Sequence, residues 1–222
     1  MKKEIIVAPS LLSARKGELA AEVKSAKEAG AKWLHYDIID GHFAPNLTFG
    51  PAFVEALADK GLYNDVHLMI TDPLKYAKKF IQAGADNLTF HFEAVEDVIE
   101  TEEAIRKMSS TVQIGLSIKP RTPLESILSF VNYFDLILIM SVEPGFSGQE
   151  YIPSSTEKIA ALAEYIRKNN YKTKIEVDGG LNGETIGPVL EAGADIIVTG
   201  NFFFKAEDRK KAVAILKGED IR

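Results

Sequence analysis

The chain has 222 residues, 46% of them hydrophobic, and a formal net charge of −6. That length suits one sizeable core, and the acidic balance excludes a surface that coats nucleic acid, because neutralising phosphates needs clustered cations. The absence of cysteine excludes disulfides and thiolate metal sites, so any metal must be held by His, Asp, Glu or backbone oxygen.

Short apolar, β-branched runs recur along the chain at EIIVAPSLL, KWLHYDII, YNDVHLMI, DNLTFHFEA, VQIGLSI, FDLILIMSV, TKIEVDGG and ADIIVTG. Each reads as a buried parallel strand. Between them, GELAAEVKSAKEAG, PLKYAKKFIQAG, SSTEKIAALAEYIRKNN and ETIGPVLEAG place apolar residues at helical spacing with polar outer faces. Helix and strand are therefore expected to alternate throughout. A weak repeat agrees, since EAGAKWLHYD, QAGADNLTFH and EAGADIIVTG each end a helix on glycine, turn tightly and enter a strand.

No linker or low-complexity segment divides the chain, and residues 1–222 are expected to form a single domain. Eight strand–helix units at this length imply an α/β fold, a closed (β/α)₈ TIM barrel; a doubly wound open sheet would show fewer strands and a glycine-rich first turn. No run reaches the roughly 20 apolar residues needed to span a bilayer. A soluble, cytoplasmic protein with no membrane or nucleic-acid partner is expected.

In such barrels the carboxyl ends of the strands form the active face. Ionisable residues there are His35 and Asp37, His67, His91 and Glu93, Glu143, and Asp178. A lone strand histidine is more often a hydrogen-bonded core residue than a ligand. Alternation along an extended chain points His35 and Asp37 the same way, and together with His67 and Asp178 they would face one axial cavity. Two imidazoles and two carboxylates suit a divalent ion such as zinc, iron or manganese, with a metal-free polar cluster as the alternative. Asp40, His42 and Asn46, in the loop that follows, read as solvated or turn-stabilising residues. His91 and Glu93 read as partners that orient ligands, with a simple polar pair inside the barrel as the alternative.

A second cluster is made of backbone. PGFSGQ at 144–149, DGG at 178–180 and TGN at 199–201 follow the last three strands. Glycine lets peptide N–H groups approach an anion closely, and barrels often bind phosphate at this place.

In these motifs, taken together, the chain resembles the ribulose-phosphate 3-epimerases. The resemblance runs over essentially the whole length through APSLLSA, HYDIIDGHFAPNLTFGP, DVHLMI, HFEA, MSVEPGFSGQ, EVDGG and VTGN, in order. It implies epimerisation at carbon 3 of ribulose 5-phosphate to give xylulose 5-phosphate, through a metal-stabilised enediolate. It also implies one divalent metal ion per subunit (zinc, iron, manganese or cobalt), held by His35, Asp37, His67 and Asp178. By the same resemblance Asp37 and Asp178 are the proton-transfer pair. Ser10 and His67 are expected to contact substrate, with Gly145, Phe146, Ser147, Gly148, Gly179 and Gly180 at the substrate end and Gly200 with Asn201 at the phosphate. A small sugar phosphate is the implied partner, and the protein is expected to be a homo-oligomer.

Two positions depart from the family pattern. Ile39 stands where methionine is common, with Met69 and Met140 retained, and Asn201 stands where serine is usual. The larger amide bears on the fit of the phosphate end, and a related hexulose-phosphate 3-epimerase, acting on allulose 6-phosphate, is the alternative. A metal-free sugar-phosphate decarboxylase would want a lysine beside the strand-end aspartates, and HYDIID has none. A non-catalytic phosphate-binding barrel would need neither Asp37 nor Asp178.

Overall fold

The computed structural model describes residues 3–58 and 61–219; the first and last residues of the expected domain lie outside these. Eight strands form one parallel sheet: β1 (Ile6–Pro9), β2 (Trp33–Ile39), β3 (Tyr63–Met69), β4 (Asn87–His91), β5 (Gln113–Ile118), β6 (Leu136–Met140), β7 (Lys174–Asp178) and β8 (Ile196–Thr199). Each predicted run supplies one of them. The sheet order runs β1-β8-β7-β6-β5-β4-β3-β2, and a parallel bridge between Ser10 and His35 joins its two ends into a barrel.

Around the barrel lie α1 (Leu19–Glu28), α2 (Pro51–Leu57), α3 (Pro73–Gln82), α4 (Val98–Met108), α5 (Ser154–Lys168), α6 (Ile186–Ala192), α7 (Asn201–Phe204) and α8 (Arg209–Leu216). Caps written in the sequence start several of them. Asp72, followed by Pro73, accepts from Lys75 N at 3.2 Å, and Asp97 accepts from Ile99 N and Glu100 N at 2.9 Å each. The repeated AG ends are left-handed turns, with φ of 89° at Gly30, 102° at Gly84 and 111° at Gly193.

One crossover departs from the expected alternation. Between β5 and β6 the chain makes only two 3₁₀ turns, Leu124–Ser126 and Val131–Tyr133. Leu124, Ile127, Val131 and Phe134 are nevertheless buried, so this segment covers its side of the barrel without a full helix.

The sheet divides the core into two layers. Leu34, Tyr36, Val66, Leu68, Phe90 and Ile139 point outward and pack with Val54, Phe80, Ile105 and Leu162 of the helices. Inside the barrel, Ala8, Trp33, Leu136, Leu138, Met140 and Val198 form a smaller apolar cluster. Trp33 stacks on Tyr63 at 4.2 Å between ring centroids, at the amino-terminal end of the strands. Polar interior positions between this cluster and the apolar Ile39 and Met69 carry the site.

Candidate active site

Every residue of β2 is buried, although it reads W-L-H-Y-D-I-I. The alternation of a strand explains this: Leu34, Tyr36 and Ile38 face the helices while His35 and Asp37 face the barrel axis. In the β2–β3 register Asp37 lies beside His67. His35 Nε2 is 3.4 Å and His67 Nδ1 3.5 Å from the same atom, Asp37 Oδ1. Neither ring nitrogen has a hydrogen-bond partner. Asp178 ends β7, and one donor atom each from His35, Asp37, His67 and Asp178 lies within 4.8 Å of the others. Two orphaned imidazole nitrogens beside two carboxylates form a donor set that fits a divalent cation.

The two carboxylates differ in proton affinity. Burial alone would raise Asp37, but His35 and His67 outweigh it and hold that carboxyl far below the usual carboxylate range. For Asp178 the pull of His35 is outweighed. Enclosure by protein, then repulsion from Asp37, pushes it up to about 7. Ser10 Oγ donates to Asp37 Oδ2, which ties β1 to the same group.

Behind the rings lie two chains of polar contacts. His35 Nδ1 meets Asp65 Oδ2 at 2.6 Å, and Asn87 Nδ2 donates to Asp65 Oδ1 at 2.6 Å. His67 Nε2 lies 2.9 Å from His91 Nε2, and His91 Nδ1 lies 3.1 Å from Glu93 Oε2. Glu93 in turn accepts from Lys119 N at 2.8 Å and from Thr122 Oγ1. Asp65, Asn87 and Glu176 escape a reading restricted to strand ends, because they sit a residue pair below the rim. The signal was present: Asp65 is two residues before His67 and Glu176 two before Asp178, on the same strand faces.

Above Asp37 opens a cavity of about 640 Å³, lined by Ser10, Asp37, Met69, Met140, Asp178, Gly145, Phe146, Ser147, Gly148, Gly179, Gly180, Gly200 and Asn201. Glu143 lines it too, whereas the strand histidines His35, His67 and His91, all fully buried, do not, nor do Glu93 and Ile39. Phe146 is 55% exposed at the rim. Tyr151, Val142 and Ser13 also line the cavity without having been picked out.

The glycine loops are close-packed there. Gly180 has φ 67°, and a Cβ added to it would lie 2.3 Å from Tyr151 N. A Cβ on Gly148 would lie 2.5 Å from Asn201 Nδ2, so the amide fills the space beside that loop.

The loop after β2 is held rather than loose. Asp40 accepts from His42 N and Phe43 N at 2.8 Å and from Thr71 N at 2.8 Å, the turn-stabilising role expected of it. Asn46 Nδ2 donates to Gly145 O at 2.8 Å, linking this loop to the one after β6.

Fold and site together define a (β/α)₈-barrel enzyme whose polar centre lies at the carboxyl ends of β2, β3 and β7. Residues 6–204 match the model of the ribulose-phosphate 3 epimerase family. Curated relatives named ribulose-phosphate 3-epimerase include those of Chlamydia muridarum, 40% identical over 99% of this chain and 98% of the relative. That of Mycobacterium bovis is 42% identical over 96% and 91%, and that of Synechocystis 44% identical over 96% and 94%. The chain belongs to the ribulose-phosphate 3-epimerase family. Among solved structures it is similar in fold to 3-hexulose-6-phosphate synthase from Salmonella typhimurium, with a TM-score of 0.72 at 16% identity over 97% of this chain and 98% of that one. Orotidine 5'-phosphate decarboxylase from Pyrococcus horikoshii gives 0.68 at 17% over 96% and 98%. Among the described residues, no helix is long and apolar enough to cross a membrane.

Proposed function

We propose that this protein interconverts D-ribulose 5-phosphate and D-xylulose 5-phosphate by moving the proton on carbon 3 between two carboxyl groups. The observation that carries this reading is the pair Asp37 and Asp178, which line one cavity with opposite proton preferences. Inverting a carbon next to a carbonyl requires a base for one face and an acid for the other. Asp37, ionised, removes the proton in one direction; Asp178, its proton affinity raised to about 7, returns one to the other face, and the roles exchange in reverse. Ser10, donating to Asp37 Oδ2, holds the base in place.

His35, Asp37, His67 and Asp178 are the residues that would hold a divalent cation such as zinc, iron, manganese or cobalt. A cation bound there supplies Lewis-acid neutralisation of the charge that develops on the substrate oxygens. Met69 and Met140 keep water away from the reacting carbon. The glycine segments 145–148, 179–180 and 200, with Asn201, hold the phosphate away from that carbon and so contribute alignment. His67, buried behind Asp37, acts as a ligand and not as a substrate contact.

The test joins metal analysis to a two-substrate assay. Prolonged chelation is expected to abolish turnover and a divalent transition metal to restore it, with ribulose 5-phosphate used more efficiently than allulose 6-phosphate. Full activity in demonstrably metal-free protein would overturn the cation site, and a preference for allulose 6-phosphate would move the assignment to the hexulose-phosphate enzyme.

A further inference from the structure

Beneath the four candidate ligands lies a layer of polar side chains that the reaction itself does not use. His35, Asp65 and Asn87 are backbone register partners on three successive strands, so their side chains stand in one row inside the barrel. None of the three has any solvent exposure. Burying a carboxylate so completely is costly unless its oxygens are satisfied. Asp65 satisfies both, with Oδ2 at 2.6 Å from His35 Nδ1 and Oδ1 at 2.6 Å from Asn87 Nδ2. Asn87 is itself fixed, since the same Nδ2 donates to Thr89 Oγ1 at 2.8 Å.

We propose that Asp65 is the positioning residue of the cation site, accepting the proton of His35 Nδ1 and so presenting Nε2 as the ligand atom. The inference rests on the cation reading above. An imidazole can turn over about its bond to Cβ and offer either nitrogen; a carboxylate behind Nδ1 removes that choice and makes Nε2 a stronger donor. Nε2 is the orphaned atom 3.4 Å from Asp37 Oδ1, where a ligand is wanted. Glu176 is the other acid near this ring, but its Oε1 is 3.6 Å from Nδ1, beyond hydrogen-bond reach. His67 is arranged the opposite way, with Nδ1 toward Asp37 and Nε2 toward His91. The two rings thus offer different nitrogens because different partners stand behind them.

Zinc affinity, measured on the full chain by competition with a chromophoric chelator, tests this. Asp65→Asn keeps the side chain's shape but loses its charge, and it is expected to bind zinc about 10–100-fold more weakly than the parent while its zinc-free form stays folded by circular dichroism. Glu176→Gln is expected to stay within about threefold of the parent, because its oxygen does not reach Nδ1. A merely structural role for Asp65 would lower stability and leave affinity unchanged in the folded fraction. Asp65→Asn binding within about threefold of the parent would overturn the proposal, as would an equal loss in Glu176→Gln. Should Asp65→Asn fail to fold, histidine ¹⁵N spectra of the zinc-loaded parent decide: a protonated Nδ1 and a metal-shifted Nε2 are expected for His35, and the reverse pattern contradicts the proposal. A parent chain that binds no zinc would remove the cation reading, and this inference with it, a result distinct from a failure of Asp65 alone.

Discussion

His91 shows how burial and a charged neighbour compete at a single side chain. Burial lowers its proton affinity to about 4 against an ordinary 6.5, although Glu93 pulls the other way. Burial would raise Glu93, but its contacts with His91, Thr122 and the Lys119 amide bring it down to about 2. The sign of the consequence follows from which state takes up protons first. As pH falls from about 6.5 to about 4 the unfolded chain protonates at His91 before the folded one does, so stability is lost across that window. Glu93 contributes stability that is present above its unfolded value of about 4.3 and lost below it, toward 2. In chelator-treated protein, the urea midpoint should therefore drop between pH 6.5 and 4, and His91→Gln should flatten that drop by close to one proton's worth of slope. Equal slopes for parent and variant would show that His91 is not held neutral.

Among the elements, the loops after β6, β7 and β8 bear tight steric demands. Alanine at Gly180 would have to adopt φ 67° and place its methyl 2.3 Å from Tyr151 N. The backbone strain alone costs about 1–3 kcal/mol. Gly180→Ala should lower the melting temperature and raise KM for the phosphorylated substrate more than it lowers kcat; an unchanged KM would separate this loop from substrate binding. Strands were the most legible elements, since eight apolar, β-branched runs became eight strands in one barrel. The crossover after β5 was less so. Leu124, Ile127, Val131 and Phe134 recur at intervals of three, four and three, the spacing of an α-helix face, yet the chain there takes two 3₁₀ turns after Pro123. Periodicity over so few residues does not separate the two outcomes.

Across the molecule, barrel closure brings residues 10, 37, 67 and 178 to one place, and the strand-end rule made that convergence legible beforehand. In the layer beneath, alternation marks Asp65 and Glu176 as sharing the faces of His67 and Asp178, but their place beside Asn87 depends on depth along the strand. Depth depends on the shear of the closed barrel, which no local pattern reports. The central claim concerns the two carboxyls that closure unites, and solvent exchange in Asp178→Asn tests it most directly. With cation occupancy confirmed, this variant should epimerise ribulose 5-phosphate at a small fraction of the parent rate. In deuterated buffer it should still exchange the carbon-3 proton of one epimer through Asp37 without inverting the centre. Epimerisation by Asp178→Asn near the parent rate would contradict the two-carboxyl account.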